Sequence, residues 1–186
     1  YLNSIGQKAL AVNEGKFRRD FRKFIKEKFK NKFKNNPIED IQNNQLYINY
    51  NEIDPIEIDE FKNALIEQLK TYDFIRSAYS LDEIMSSSKL SPYQKLIKNG
   101  YNKKRSGDVV FILEPNTIIY GDRGTTHGSG YDYDTHVPLI FYGKGIKKGN
   151  TKIRTHITDI APTISALLGL KNSENFTGKV LDFVIK

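Results

Sequence analysis

"TTHGSGYDYDTHVPLIFYG" (residues 125–143) holds two of the chain's three histidines and two of its aspartates. His127, Asp132, Asp134 and His136 offer two imidazoles and two carboxylates within ten residues, a donor mixture that Zn²⁺ accepts. Their spacing suits a self-contained site poorly. Asp134 and His136, two positions apart, would share one face of a strand, and His127 sits beyond a Gly-Ser-Gly turn. Glycines at 124, 128 and 130 point to positive φ or close backbone approach around His127. A histidine held on such a loop is the stronger ligand candidate, and His136 reads as an orienting or structural residue. A mononuclear hydrolase using His127, Asp132, Asp134 and His136 together stays open on the residues alone. The end of the stretch, "VPLIFYG", is almost wholly apolar, the pattern of a strand covered on both faces. It bears on fold class most directly.

Outward from there, "GDVVFILEPNTIIYG" carries two apolar runs parted by Pro115 and Asn116, which predicts two strands. "THITDIAPTISALLGL" predicts a helix with Thr158 as N-cap, Pro162 in the first turn and Gly169 as the stop. Before Ser106 the texture differs. "QLYINY" and "DFIRSAYS" read as strands on either side of a helix over "IDEFKNALIEQLKTY". "SLDE" (residues 80–83) reads as a capping box, and "SPYQKLIKNG" repeats that logic with Ser91 as N-cap and Pro92 at the first helical position. The sequence therefore predicts a helix-rich α+β subdomain over residues 1–105. Residues 106–186 read as part of an α/β core.

Hydrophobic residues at 38% and charged residues at 27% fit a globular protein rather than a disordered one. No apolar run approaches the roughly 18 residues that span a bilayer. Cys is absent, which excludes a disulfide framework and thiolate chemistry. There is no P-loop, G-x-S-x-G elbow, H-E-x-x-H or dinucleotide fingerprint. The first residue is Tyr1 rather than Met, which reads as a piece of something longer, with any export signal upstream.

The net charge of +7 is concentrated. Residues 16–34 hold ten Lys/Arg against Asp20 and Glu27, a balance of +8, so the rest of the chain sums to −1. Phe17, Phe21, Ile25, Phe29 and Phe33 recur every four residues, predicting an amphipathic helix stopped by "NNP" at residues 35–37. Such a helix either binds an anionic partner or docks its Phe stripe on a core. No base-stacking platform or groove-reading motif accompanies it, so no nucleic acid is expected.

"GTTHGSGYDYDTHVPLIFYGKGI", then "ITDIAPTISALLGL" and "TGKVL", resemble the C-terminal end of the alkaline phosphatase superfamily. "NGYNKKRSGDVVFILEP" resembles the segment leading into it, so the likeness covers residues 99–181. It is closest to bacterial phosphomonoesterases with a Thr nucleophile and to nucleotide pyrophosphatase/phosphodiesterases. The "DIAPTISALLG" helix is shared as widely as the sulfatases, whereas "THGSGYDYDTHVPLIFYG" points to the phosphatase branch.

The resemblance implies a mainly parallel sheet with two Zn²⁺ ions at its C-terminal edge, and a phosphate ester as the parent's substrate. It maps the His of the "THG" motif, a zinc ligand, onto His127. Thr126, Asp132, Asp134 and His136 carry over only as neighbours of the site. The family needs a Thr or Ser nucleophile with an Asp ligand, an Asp-x-x-x-His pair and an adjacent Asp-His pair; this chain contains no Asp-His-Gly, and His127 follows Thr126 and not Asp. The nucleophile and the remaining ligands are expected upstream of Tyr1, so no catalytic residue is assigned within the chain. By itself the chain is expected to be inactive and to hold no zinc tightly. The family further implies a periplasmic or extracellular protein. A sheet lacking its first strands would leave an open edge. That predicts a dimer of the chain, or loosened structure around "VVFIL" and "VPLIFYG". The alternatives are a pyrophosphatase/phosphodiesterase piece, or a non-catalytic module binding an anionic partner through residues 16–34.

Overall fold

The computed structural model describes residues 3–30, 32–120 and 126–186. They form two compact units, residues 1–136 and 137–186.

The first unit is built on a four-stranded antiparallel sheet of order β2-β3-β5-β4. Its strands are β2 (Ile38–Gln42), β3 (Gln45–Ile48), β4 (Ile75–Ser80) and β5 (Val109–Leu113). Asn43 and Asn44 join β2 to β3 with φ of 51° and 58°. Two consecutive positive φ values make the primed hairpin turn that matches strand twist, and Asn tolerates them. That Asn-Asn pair is the sequence signal for β2. β5 is buried almost throughout, and its alternation separates two cores. Val109 and Phe111 join the larger cluster; Val110 packs with Leu81 and Ile84. The loosening expected around "VVFIL" is thus corrected: antiparallel partners on both sides satisfy this strand.

The larger core is supplied by α1 (Glu14–Lys28) and α2 (Ile58–Lys70). Phe17, Phe21 and Ile25 of α1 are buried, as are Phe61, Leu65 and Leu69 of α2. The Phe stripe is therefore core, with the cations around it. α1 stops well before "NNP", because Lys30 turns to a φ of 49°. Phe29 and Phe33 still reach the core, with ring centroids 5.1 and 5.4 Å from that of Phe61.

On the other side lie α3 (Leu81–Ser86) and α4 (Pro92–Gly100). The Ser91–Gln94 capping box of α4 forms as predicted. The one expected at Ser80 does not. There the first N–H of α3, on Leu81, donates to Asp108 O at 2.9 Å. Asp82 is drawn instead to the buried Lys62 ammonium at 2.5 Å. A separate parallel pair joins β1 (Leu10–Asn13) to β6 (Thr117–Tyr120).

In the second unit, residues 137–143 form no strand. Val137, Ile140 and Tyr142 are 67%, 82% and 100% exposed. This corrects the doubly covered strand read from "VPLIFYG". An apolar run becomes a strand only where another segment takes up its N–H and C=O groups, and among the described residues no strand pairs with this one. α6 (Ile160–Leu167) follows a 3-10 turn at Ile157–Asp159. Asp159, rather than Thr158, organises its start: the carboxylate accepts from His156 N at 2.9 Å and Lys179 N at 3.0 Å. These bonds hold the Asp159 carboxyl below the usual range, Lys179's N–H contributing most. The units part after His136 and not at the change of texture at Ser106, because β5 carries the first apolar run beyond Ser106 into the antiparallel sheet.

Candidate functional site

β6 leads toward the loop that carries Thr126 and His127; residues 121–125, with Gly124 among them, lie outside the described residues. In parallel sheets, ligand sites collect beyond the carboxyl ends of strands. An open cleft of about 1780 Å³ is lined by residues 117–120 together with Thr126, His127, Gly128 and Asp134. Arg18 also lines it, but its guanidinium is committed to Glu14, Asp40 and the carbonyl of Ile41. Those contacts raise its pKa further, despite partial burial.

The local chemistry explains the loop's shape. Gly128 has a φ of +117°, open to glycine and strained for other residues. Asp132–Thr135 is a single helical turn, α5. Asp134 and His136 are therefore not on one face of a strand. From that turn, Asp134 Oδ2 reaches back to Gly128 N at 2.8 Å and Ser129 N at 2.6 Å. The Asp134 carboxyl is held below the usual carboxylate range, chiefly by the Ser129 N–H.

Three tyrosines fasten the loop beyond Ser129. Gly130 N donates to the Tyr93 hydroxyl at 2.6 Å, Tyr131 donates to Leu113 O at 2.8 Å, and Asn116 N donates to the Tyr133 hydroxyl at 3.0 Å. The Tyr131 ring stacks on Tyr133 at 5.6 Å and meets Tyr93 edge-on at 5.7 Å. Arg76 lies 6.0 Å from the Tyr131 ring centroid. Tyr93, Tyr131 and Tyr133 went unread in the sequence; the "GYDYD" alternation was the local signal for Tyr131 and Tyr133, and Tyr93 had none near the loop.

Within this frame His127, Asp132 and His136 are exposed, and Asp134 is partly covered. His136 donates its backbone N–H to Asp132 O at 2.9 Å, closing the helical turn. Thr126 Oγ1 donates to the carbonyl of His127 at 3.3 Å. Among the described residues no three His, Asp or Glu side chains converge to hold a metal. The four neighbours thus do not form the mononuclear site left open by the sequence, and Asp134 is occupied with the backbone. His127, Asp132 and His136 stand as separate exposed donors rather than one converged set.

The whole chain superposes on the crystal structure of wild-type alkaline phosphatase PafA, with a TM-score of 0.83 and 32% identity. It covers 35% of that chain. In sequence it is 39% identical over 131 residues to alkaline phosphatase PafA of Elizabethkingia meningoseptica, matching 70% of this chain and 24% of that protein. It is 33% identical over 148 residues to alkaline phosphatase PhoV of Synechococcus elongatus, matching 78% and 27%. A Myroides odoratus protein named calcium-transporting ATPase is 40% identical over 138 residues, matching 72% and 25%. No protein-family model matches the chain. The chain belongs to the alkaline phosphatase superfamily. It spans about a quarter of the length of these curated relatives.

Proposed function

We propose that this chain is part of a metal-dependent phosphate monoester hydrolase and contributes one zinc ligand, His127. The observation that carries the reading is the contrast between backbone and side chain in the loop. The peptide groups after His127 are fastened to Asp134 and Tyr93. The imidazole itself is exposed and makes no hydrogen bond with a described residue. Fixing the backbone in advance removes part of the ordering cost of binding a metal, and only the imidazole's own rotamers are left to be ordered.

A pair of zinc ions would activate a nucleophile and stabilise the leaving oxygen of a phosphoryl group. This chain's share is to hold the imidazole of His127 in place, with Asp134 orienting the loop. Thr126, Asp132 and His136 border it. The nucleophile and the other ligands belong to the remainder of the family fold, so the 186-residue chain alone is inactive and binds zinc weakly. The monoesterase reading rests on relatives named alkaline phosphatase. A periplasmic or extracellular setting accords with the family; among the described residues no helix is long and apolar enough to cross a membrane.

The test is hydrolysis by the protein encoded in the whole reading frame. p-Nitrophenyl phosphate should be turned over faster than bis-p-nitrophenyl phosphate, and His127→Ala should lower kcat/KM by about a thousandfold or more. Preference for the diester would move the protein to the phosphodiesterase branch. Unchanged kcat/KM in the variant, or turnover by the 186-residue chain alone, would overturn the assignment.

A further inference from the structure

We infer that Tyr93, from α4, is a positioning residue for the His127 imidazole, acting through its hydroxyl on the backbone of the ligand loop. The inference rests on the metal-ligand reading of His127. Tyr93 is 37 residues from Gly130 in sequence, yet its hydroxyl accepts the Gly130 N–H at 2.6 Å. The contact is close enough to dictate the residue opposite. A Cβ added at Gly130 would lie 2.8 Å from Tyr93 Cζ and 2.9 Å from Cε2. Only glycine lets the backbone rest on the ring without displacing it.

Tyr93 is itself well placed to act as a fixed post. Its helix begins at a formed capping box, with Ser91 and Gln94 exchanging bonds and Pro92 at the first helical position. Lys98 of the same helix donates to Met85 O at 3.0 Å, tying α4 to α3. The ring is braced edge-on by Tyr131, whose own hydroxyl is bonded to Leu113 O on β5. The three backbone N–H groups that follow His127 therefore have two acceptors. Asp134 takes the N–H groups of Gly128 and Ser129, and Tyr93 takes that of Gly130. Asp134 belongs to the loop's own helical turn and reaches the rest of the unit through the Tyr131 and Tyr133 hydroxyls, bonded to Leu113 O and Asn116 N. Tyr93 is the support that refers the loop to a separate helix.

Removing the Tyr93 hydroxyl should leave the ring packed and the fold intact while letting the loop swing. Groups that orient a metal ligand typically change metal affinity by about 10- to 100-fold. The experiment uses the protein of the whole reading frame, with Zn²⁺ affinity measured by chelator competition and stability by thermal unfolding. Tyr93→Phe is expected to weaken Zn²⁺ binding about tenfold or more, with Tm within about 2 °C of wild type. Its lowered kcat should recover at excess Zn²⁺ while KM stays put. Gly130→Ala, which pushes the loop off the ring, should weaken Zn²⁺ binding in the same way. Wild-type Zn²⁺ affinity in both variants, beside a large loss in His127→Ala, would overturn the positioning role and leave the ligand reading standing. Wild-type affinity in His127→Ala would overturn the ligand reading beneath it. A weakened affinity matched by an equal loss of Tm would show Tyr93 to be structural only.

Discussion

Asp134 Oδ2 stands 2.6 Å from the backbone nitrogen of Ser129, and this bond sets the form of the loop that presents His127. The carboxyl titrates below its usual value for that reason. A group whose folded pKa is depressed contributes its stabilisation fully above the unfolded pKa, about 3.9, and loses it as pH falls through the folded value. The stability difference between wild type and Asp134→Asn, from urea midpoints, should be constant from pH 7 to pH 5 and shrink below about pH 4. A difference that grows on acidification would show that the carboxylate is not the stabilising form.

Thr163 joins two segments of the second unit. It is fully buried; its hydroxyl donates to Asp159 O at 2.6 Å and accepts from Leu181 N at 3.0 Å. Thr163→Val keeps the shape but leaves the Leu181 N–H without a partner, at a cost of about 1–3 kcal/mol. Thr163→Ser should recover most of that in chemical denaturation. Equal stability of the Val and Ser variants would contradict the role of the hydroxyl.

The basic helix is a core element with a charged exterior. Phe21 is fully buried in α1, whereas the Lys23–Glu27 pair is open to solvent at 3.7 Å. Phe21→Ala should therefore destabilise the protein by about 3–5 kcal/mol. Lys23→Ala should stay within about 0.5 kcal/mol. Comparable effects for the two would mean the Phe stripe is not what holds the helix in place.

The legibility of each element depends on where its signal lies. β3, β4, α2 and the α4 capping box are local features of periodicity and turn chemistry, and they stand as read. β2 went unread although Asn43-Asn44 announced its hairpin. "VPLIFYG" has the composition of a buried strand, but pairing is a property of two segments, and among the described residues no strand supplies the second. The Ser80 box does not form: its side chain makes no cap bond, and the helix start is tied instead to the sheet by the Leu81 N–H on the carbonyl of Asp108, just before β5. In the site, the glycines around His127 pointed correctly to backbone constraint: positive φ at Gly128, ring contact at Gly130. Asp134 could be named as a neighbour, whereas its reach back to Gly128 and Ser129 needed the helical turn to be seen. Tyr93 was out of range altogether, since 37 residues separate it from the backbone it holds.

The central claim is that His127 ligates a metal, and metal content tests it most directly. The protein of the whole reading frame, purified as wild type and as His127→Ala, should be assayed for zinc by elemental mass spectrometry. The wild type is expected to carry about two zinc ions per chain and the variant to lose at least one, with its Tm otherwise preserved at saturating zinc. A variant that retains the full wild-type zinc content would contradict the assignment of His127.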